Sequence, residues 1–339
     1  MDLCNPREVR ALLDRYGLAP QKGFGQNFLI NPDIPERIAE SSYSAVRSRP
    51  CAALEIGPGI GALTSSLCER FDRVVAVEID RGLLPLLDET LGDYDNVTVV
   101  SADFMTIDVA EFFREHFSGY DVSVCANLPY YITTPIIMKL FESFPVSEAM
   151  PISSMTFMVQ LEVADRICSM ESAGDNGSVT ASIGLSAKAE KLFTVAAGNF
   201  YPAPSVKSAV MRFIPHENGL YSIYPDAPTD HAECERFAAN VKKVIAAAFA
   251  QRRKTLANSL AGIYSKEKTS SALEQCGFRP DLRGERLSTA DFCRLTDILE
   301  KRTEIPRLQK KRQVHRKNAL YSANAEMVEC RQMHKHANK

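Results

Sequence analysis

Short apolar runs alternate with segments of helical period through the first half of the chain. Ala53-Leu54-Glu55-Ile56 is a brief strand pattern, and Arg73-Val74-Val75-Ala76-Val77-Glu78-Ile79-Asp80 is a second, rich in β-branched residues. Val97–Val100, Asp121–Ala126 and Met155–Val159 repeat the pattern, with helical stretches between them. Strand and helix in regular alternation predict βαβ units and a mainly parallel sheet. Ahead of the first strand, residues 1–20 read as a helix closed by Gly17 and Pro20. Asn31-Pro32-Asp33 opens another, with Pro35 in its first turn. Beyond Pro215 the pattern changes. Residues 216–229 read as a linker, 231–301 as helices such as Phe237 to Phe249, and 303–339 as a polar basic stretch without periodicity. The expected division is an α/β domain over 1–215, a small all-helical domain over 216–302 and a tail over 303–339.

Four predicted strands end on polar residues or glycine: Gly57, Glu78, Asp103 and Asn127. In open α/β sheets, ligands bind beyond those strand ends. Gly57-Pro58-Gly59-Ile60-Gly61 follows a strand and opens a helix, so the backbone can turn sharply and approach a ligand closely. Glu78 ends the next strand, where a carboxylate can accept both hydroxyls of a ribose, as dinucleotides and S-adenosylmethionine both require. The third glycine falls one residue early for G-x-G-x-x-G, which disfavours a dinucleotide and a dehydrogenase. Glu55-x-Gly57-x-Gly59 resembles the first motif of class I, Rossmann-like methyltransferases, a resemblance in which Asp103 holds the adenine amine of the cofactor.

Asn127-Leu128-Pro129-Tyr130 resembles the acceptor motif of amino-methylating enzymes. An exocyclic adenine amine is a poor nucleophile because the ring shares its lone pair. Two acceptors, the Asn127 side-chain oxygen and the Leu128 carbonyl, can take both amine hydrogens and favour the pyramidal geometry needed for attack. Pro129 stiffens the turn, and Tyr130 offers a face to the base. A paired base cannot reach such a pocket and must be flipped out or unpaired. Phe200, in Phe200-Tyr201-Pro202-Ala203-Pro204, is the candidate for the opposite wall.

Charge adds a second theme. Residues 301–339 carry a net +8 and the rest of the chain −10, a basic arm on an acidic body. The nine cysteines include no C-x-x-C pair, so neither a zinc site nor a disulfide framework is expected. Without an apolar targeting run or a stretch of about 18 apolar residues, a cytoplasmic location and no membrane are expected.

Taken in order, these motifs resemble the KsgA family of ribosomal RNA adenine dimethyltransferases, over roughly residues 18–300. The family's marks are Lys22-Gly23-Phe24-Gly25-Gln26-Asn27-Phe28-Leu29, Glu55-Ile56-Gly57-Pro58-Gly59, Val77-Glu78-Ile79-Asp80, Asn127 to Ile132, Phe200 to Val206, and Phe249-Ala250-Gln251-Arg252-Arg253-Lys254-Thr255. The Gln-Asn-Phe-Leu form is similar to the bacterial branch. The resemblance implies a class I methyltransferase sheet with a C-terminal helical domain. It implies that Asn27, Leu29, Gly57, Gly59, Glu78, Asp103 and Asn127 meet S-adenosylmethionine. It also implies that Arg252, Arg253 and Lys254, fanned over a helix, meet phosphates. The implied reaction dimethylates two adjacent adenosines in the 3′-terminal hairpin loop of small-subunit rRNA. The implied setting is a pre-30S particle, with a role in ribosome biogenesis, no metal and a monomeric enzyme. Two alternatives remain: a large-subunit rRNA dimethylase conferring antibiotic resistance, and a non-catalytic assembly factor on the same scaffold. Asn176-Gly177-Ser178-Val179-Thr180 departs from the family's Tyr-Gly-x-Leu-Ser stretch, and the tail has no family counterpart.

Overall fold

The computed structural model describes residues 1–21, 26–168, 177–251 and 253–300. Residues 22–25 of the first family motif, Arg252, Asn176 and the tail therefore lie outside the described residues. Two units are distinguished, Met1–Thr296 and Asp297–Lys339. In the second, only residues 297–300 are described, including the end of the last helix.

The strands are β1 (Phe28–Leu29), β2 (Cys51–Ile56), β3 (Arg73–Glu78), β4 (Val97–Ser101), β5 (Asp121–Asn127), β6 (Ser154–Gln160), β7 (Ala187–Val195), β8 (Phe200–Tyr201) and β9 (Ser208–Pro215). Seven form one sheet in the order β4-β3-β2-β5-β6-β9-β7. The first five are parallel, as the alternation predicts, while β9 joins antiparallel to both β6 and β7. Helices α1 (Pro6–Arg15), α2 (Asp33–Tyr43), α3 (Ala62–Cys68), α4 (Leu84–Thr90), α5 (Val109–Phe117), α6 (Thr133–Glu142), α7 (Leu161–Cys168) and α8 (Ser178–Ile183) flank it.

Alternation along each central strand feeds two cores, because successive side chains point to opposite faces. On β2, Ala52 and Leu54 pack with Phe112, Ile137 and Phe157 on one face. Cys51 and Ala53 pack with Ile38, Leu67 and Phe200 on the other. Such strands are buried on both faces and read as near-continuous apolar runs. A third cluster seats α1 through Val9, Leu12 and Leu13 against Leu83, Leu86, Leu87 and Phe28.

A separate two-stranded ribbon pairs β1 with β8, Phe28 opposite Tyr201 and Leu29 opposite Phe200. It joins segments some 170 positions apart, reinforced by Ile30 N–H to Asn199 C=O at 2.9 Å.

After β9 the described chain is helical: α9 (His231–Phe249), α10 (Leu256–Ser259), α11 (Lys266–Gln275) and α12 (Thr289–Leu299). Residues 216–229, read as a linker, are anchored instead. Leu220 is buried and donates its N–H to Val146 C=O at 2.8 Å. Tyr224 stacks on Phe237 with ring centroids 5.7 Å apart. No helix among the described residues is long and apolar enough to cross a membrane.

Candidate active site

Sheet register assembles the site. Glu55 lies opposite Cys125, so two residues on, Gly57 and Asn127 leave β2 and β5 side by side. Ile56 lies opposite Val77, which sets Gly57 beside Glu78, and Glu78 pairs with Ser101, two residues before Asp103. The strand order reverses between β2 and β5, and the crevice at that switch point is where such sheets take ligands. One cleft there is lined by Asn27, Leu29, Gly57, Gly59, Glu78, Asp103, Asn127, Leu128, Pro129 and Tyr130. Ten sequence-predicted residues thus converge.

Gly57 and Gly59 sit at φ +74° and +60°, which side chains rarely adopt. A Cβ on Gly59 would stand 3.3 Å from the Phe28 ring, so glycine also lets β1 lie close over the loop. Glu78, 4 % exposed, takes the Asp80 N–H on Oε1 at 2.8 Å and the Gly59 N–H on Oε2 at 3.2 Å. Burial raises its pKa, and those two N–H groups pull it back. Each oxygen keeps a further lone pair, which suits a ribose diol. Asp103 caps the following turn, with Oδ1 accepting the Met105 N–H at 2.8 Å.

Two features here escaped sequence reading. Asp80 Oδ2 accepts from Gln26 Nε2 at 2.9 Å and Gln21 Nε2 at 3.1 Å, tying the N-terminal segment to the end of β3. Glu55 is 1 % exposed, and its Oε2 has no hydrogen-bond partner among the described residues. Burial raises its pKa to about 8; the Thr64 hydroxyl lowers it and the Glu78 charge raises it further. This buried acid, the open side of Gly57 and the paired acceptors Glu78 and Asp103 fit S-adenosylmethionine, a cation carrying a nucleoside.

The acceptor turn is held from both sides. Asn127 Nδ2 donates to Asn27 C=O at 3.1 Å, leaving Oδ1 as the amide's acceptor. Leu128 N–H donates to Met158 C=O at 3.2 Å. Pro129 C=O accepts the Ile132 N–H at 3.1 Å and the Thr133 hydroxyl at 3.0 Å, closing the turn onto α6. The Tyr130 hydroxyl and Ser208 Oγ share a hydrogen bond of 2.8 Å. Burial raises the Tyr130 pKa, and Ser208 lowers it. Ser208 lies eight residues past Phe200, and only the β6–β9 pairing brings it here.

Two placements differ from expectation. Phe200 does not line the cleft with Tyr130. It is 3 % exposed and packs with Leu29, Ile34 and Val195, because its register opposite Leu29 turns it into the core. Arg253 and Lys254 lie exposed in the turn between α9 and α10, not fanned over a helix; Arg252 lies outside the described residues.

Comparisons with known proteins agree with this geometry. A family model described as ribosomal RNA adenine dimethylase matches residues 18–301. A ribosomal RNA small subunit methyltransferase A of Bacillus cytotoxicus is 39% identical over 304 residues, covering 88% of this chain and 97% of the relative. Its counterpart in Bacillus mycoides is 40% identical over the same extent. Among solved structures, the 23S rRNA methyltransferase ErmE superposes with TM-score 0.61 at 25% identity, over 81% of this chain and all of that one. A dimethyladenosine transferase from Plasmodium falciparum gives 0.59 at 22% identity, over 79% and 95%. The fold is that of a class I S-adenosylmethionine-dependent methyltransferase, and the chain belongs to the ribosomal RNA adenine dimethylase family.

Proposed function

We propose that this chain dimethylates the exocyclic amines of two adjacent adenosines in the 3′-terminal loop of small-subunit rRNA. We place the reaction in an assembling pre-30S particle in the cytoplasm, with the enzyme acting as a monomer. The observation that carries this reading is the Asn127 amide, oriented by the Asn27 carbonyl and set beside the glycine loop at the switch point. The small-subunit preference rests on the curated relatives, which are small-subunit enzymes by name over nearly their full length.

S-adenosylmethionine supplies an activated methyl group on a sulfonium. The protein's task is alignment, which can contribute on the order of 7–11 kcal/mol to lowering a barrier. Glu78 and Asp103 hold the cofactor's nucleoside end, and Asn27, Leu29, Gly57 and Gly59 shape its bed. Asn127 Oδ1 and the Leu128 carbonyl accept the two amine hydrogens, and Tyr130 stacks on the base. A strong general base is not needed, because the amine becomes acidic only as it is alkylated. In this reading, Phe200 anchors the ribbon in the core. Arg252, with Arg253 and Lys254, meets phosphates, within a helical region over 216–302.

Incubation with radiolabelled S-adenosylmethionine and unmethylated 30S or 50S particles, followed by mass spectrometry of the rRNA, tests the whole reading. Dimethyladenosine at adjacent positions in 30S is the expected result. Label only in 50S would move the assignment to the large subunit. Tight 30S binding without label would leave an assembly factor.

A further inference from the structure

The turn that closes the acceptor site carries two tyrosines with opposite fates. Tyr130 and Tyr131 are the central residues of the turn closed by Ile132 N–H to Pro129 C=O. Tyr130 is half-buried, its hydroxyl held by Ser208. Tyr131 lines the same cleft yet is 61% exposed. No hydrogen bond, ion pair or ring contact among the described residues holds it. Both residues line the one cleft, Tyr130 half-buried at its wall and Tyr131 exposed at its rim.

Resting on the rRNA reading above, we propose that Tyr131 is a stacking subsite for the base next to the target adenosine. Flipping one base out deprives its neighbour of a stacking partner, and an unpartnered aromatic face at the rim can take that partner's place. The chemistry suits two successive acceptors. When the second adenosine occupies the pocket, its neighbour on the rim side is a different nucleotide. A hydrogen-bonding reader would accept only one of these, whereas an aromatic face accepts any base. Tyr131 is thus a substrate-contacting residue that supports movement from one adenosine to the next.

The test uses the full chain with Tyr131→Ala and Tyr131→Phe. Stacking of this kind contributes about 1–3 kcal/mol per base, so the alanine variant is expected to raise KM for unmethylated 30S particles about tenfold. Its kcat and S-adenosylmethionine affinity should match the parent chain, and phenylalanine should restore KM. In parallel, calorimetry on protein saturated with S-adenosylhomocysteine compares the dinucleotide ApA with AMP. ApA should bind about tenfold more tightly in the parent and Phe variants, with that advantage gone in the Ala variant. An Ala variant with unchanged KM and an intact ApA advantage overturns the subsite while leaving the rRNA reading standing. A parent chain that binds AMP but labels no 30S overturns both.

Discussion

An amide can turn either its oxygen or its nitrogen toward a ligand, and at Asn127 the Asn27 carbonyl makes the choice. In the proposed mechanism, replacing Asn127 by Ala removes one of two acceptors for the attacking amine. Methyl transfer is expected to fall about 10²–10³-fold, the usual cost of one positioned transition-state hydrogen bond. Cofactor affinity, measured by calorimetry, should change by less than about threefold, since Glu78, Asp103 and the glycine loop are untouched. Comparable losses in both would assign Asn127 to the cofactor instead. Glu55 makes a different prediction. Its pKa is near the ordinary 4.5 when unfolded and about 8 in the fold. The folded state therefore holds the proton more tightly, and the stability that Glu55 contributes is fully present below about pH 4.5 and is lost as pH rises toward 8. Glu55→Gln should flatten that decline by a few kcal/mol. Denaturant midpoints of both proteins at pH 5 and pH 8 measure it, and parallel declines would show that Glu55 ionises freely.

At the scale of elements, the five parallel strands were legible because each is a short apolar run set between helical patterns, four of them leading into a polar residue or glycine. Their register then carries Gly57, Glu78, Asp103 and Asn127 to one edge without further help. What the sequence hides are pairings between distant segments. Strand β7, Ala187–Val195, mixes lysines and glutamate with its apolar residues because it is an edge strand, so its pattern is weak. The two-residue strands β1 and β8 have no periodicity to read, and their pairing alone turns Phe200 inward. Residues 216–229 misled for a related reason. Glycine, proline and polar residues signal a loop, but not that the loop is pinned. At Gly219 the pinning is tight: φ is +52°, and a Cβ would lie 2.2 Å from the Val146 carbonyl oxygen. Gly219→Ala should cost at least about 2 kcal/mol, combining backbone strain with steric conflict. A thermal midpoint unchanged within a degree or so would mean that the segment can peel away.

For the molecule as a whole, charge and topology act over longer range. The acidic body makes a poor surface for RNA by itself, whereas residues 301–339 carry a net +8. Removing residues 303–339 is expected to weaken binding to 30S particles and to make its salt dependence shallower, by roughly 0.7–0.9 in slope for each phosphate the tail had neutralised. Filter binding between about 50 and 200 mM salt measures this, and an unchanged slope would separate the tail from RNA. Topology has a consequence of another kind. The β1–β8 ribbon carries Leu29 at the cleft, and Asn27 at its entrance offers the carbonyl that holds the Asn127 amide. Under the proposed function, a shift of this ribbon reaches both the cofactor bed and, through Asn127, the adenosine, which couples the two affinities. Whatever factor RNA imposes on the cofactor, the cofactor must impose on RNA. The spent cofactor differs from the fresh one by a methyl group and a positive charge, so under that reading each turnover changes the grip on RNA. The same two short strands can thereby time release of the ribosomal particle to exhaustion of the methyl donor.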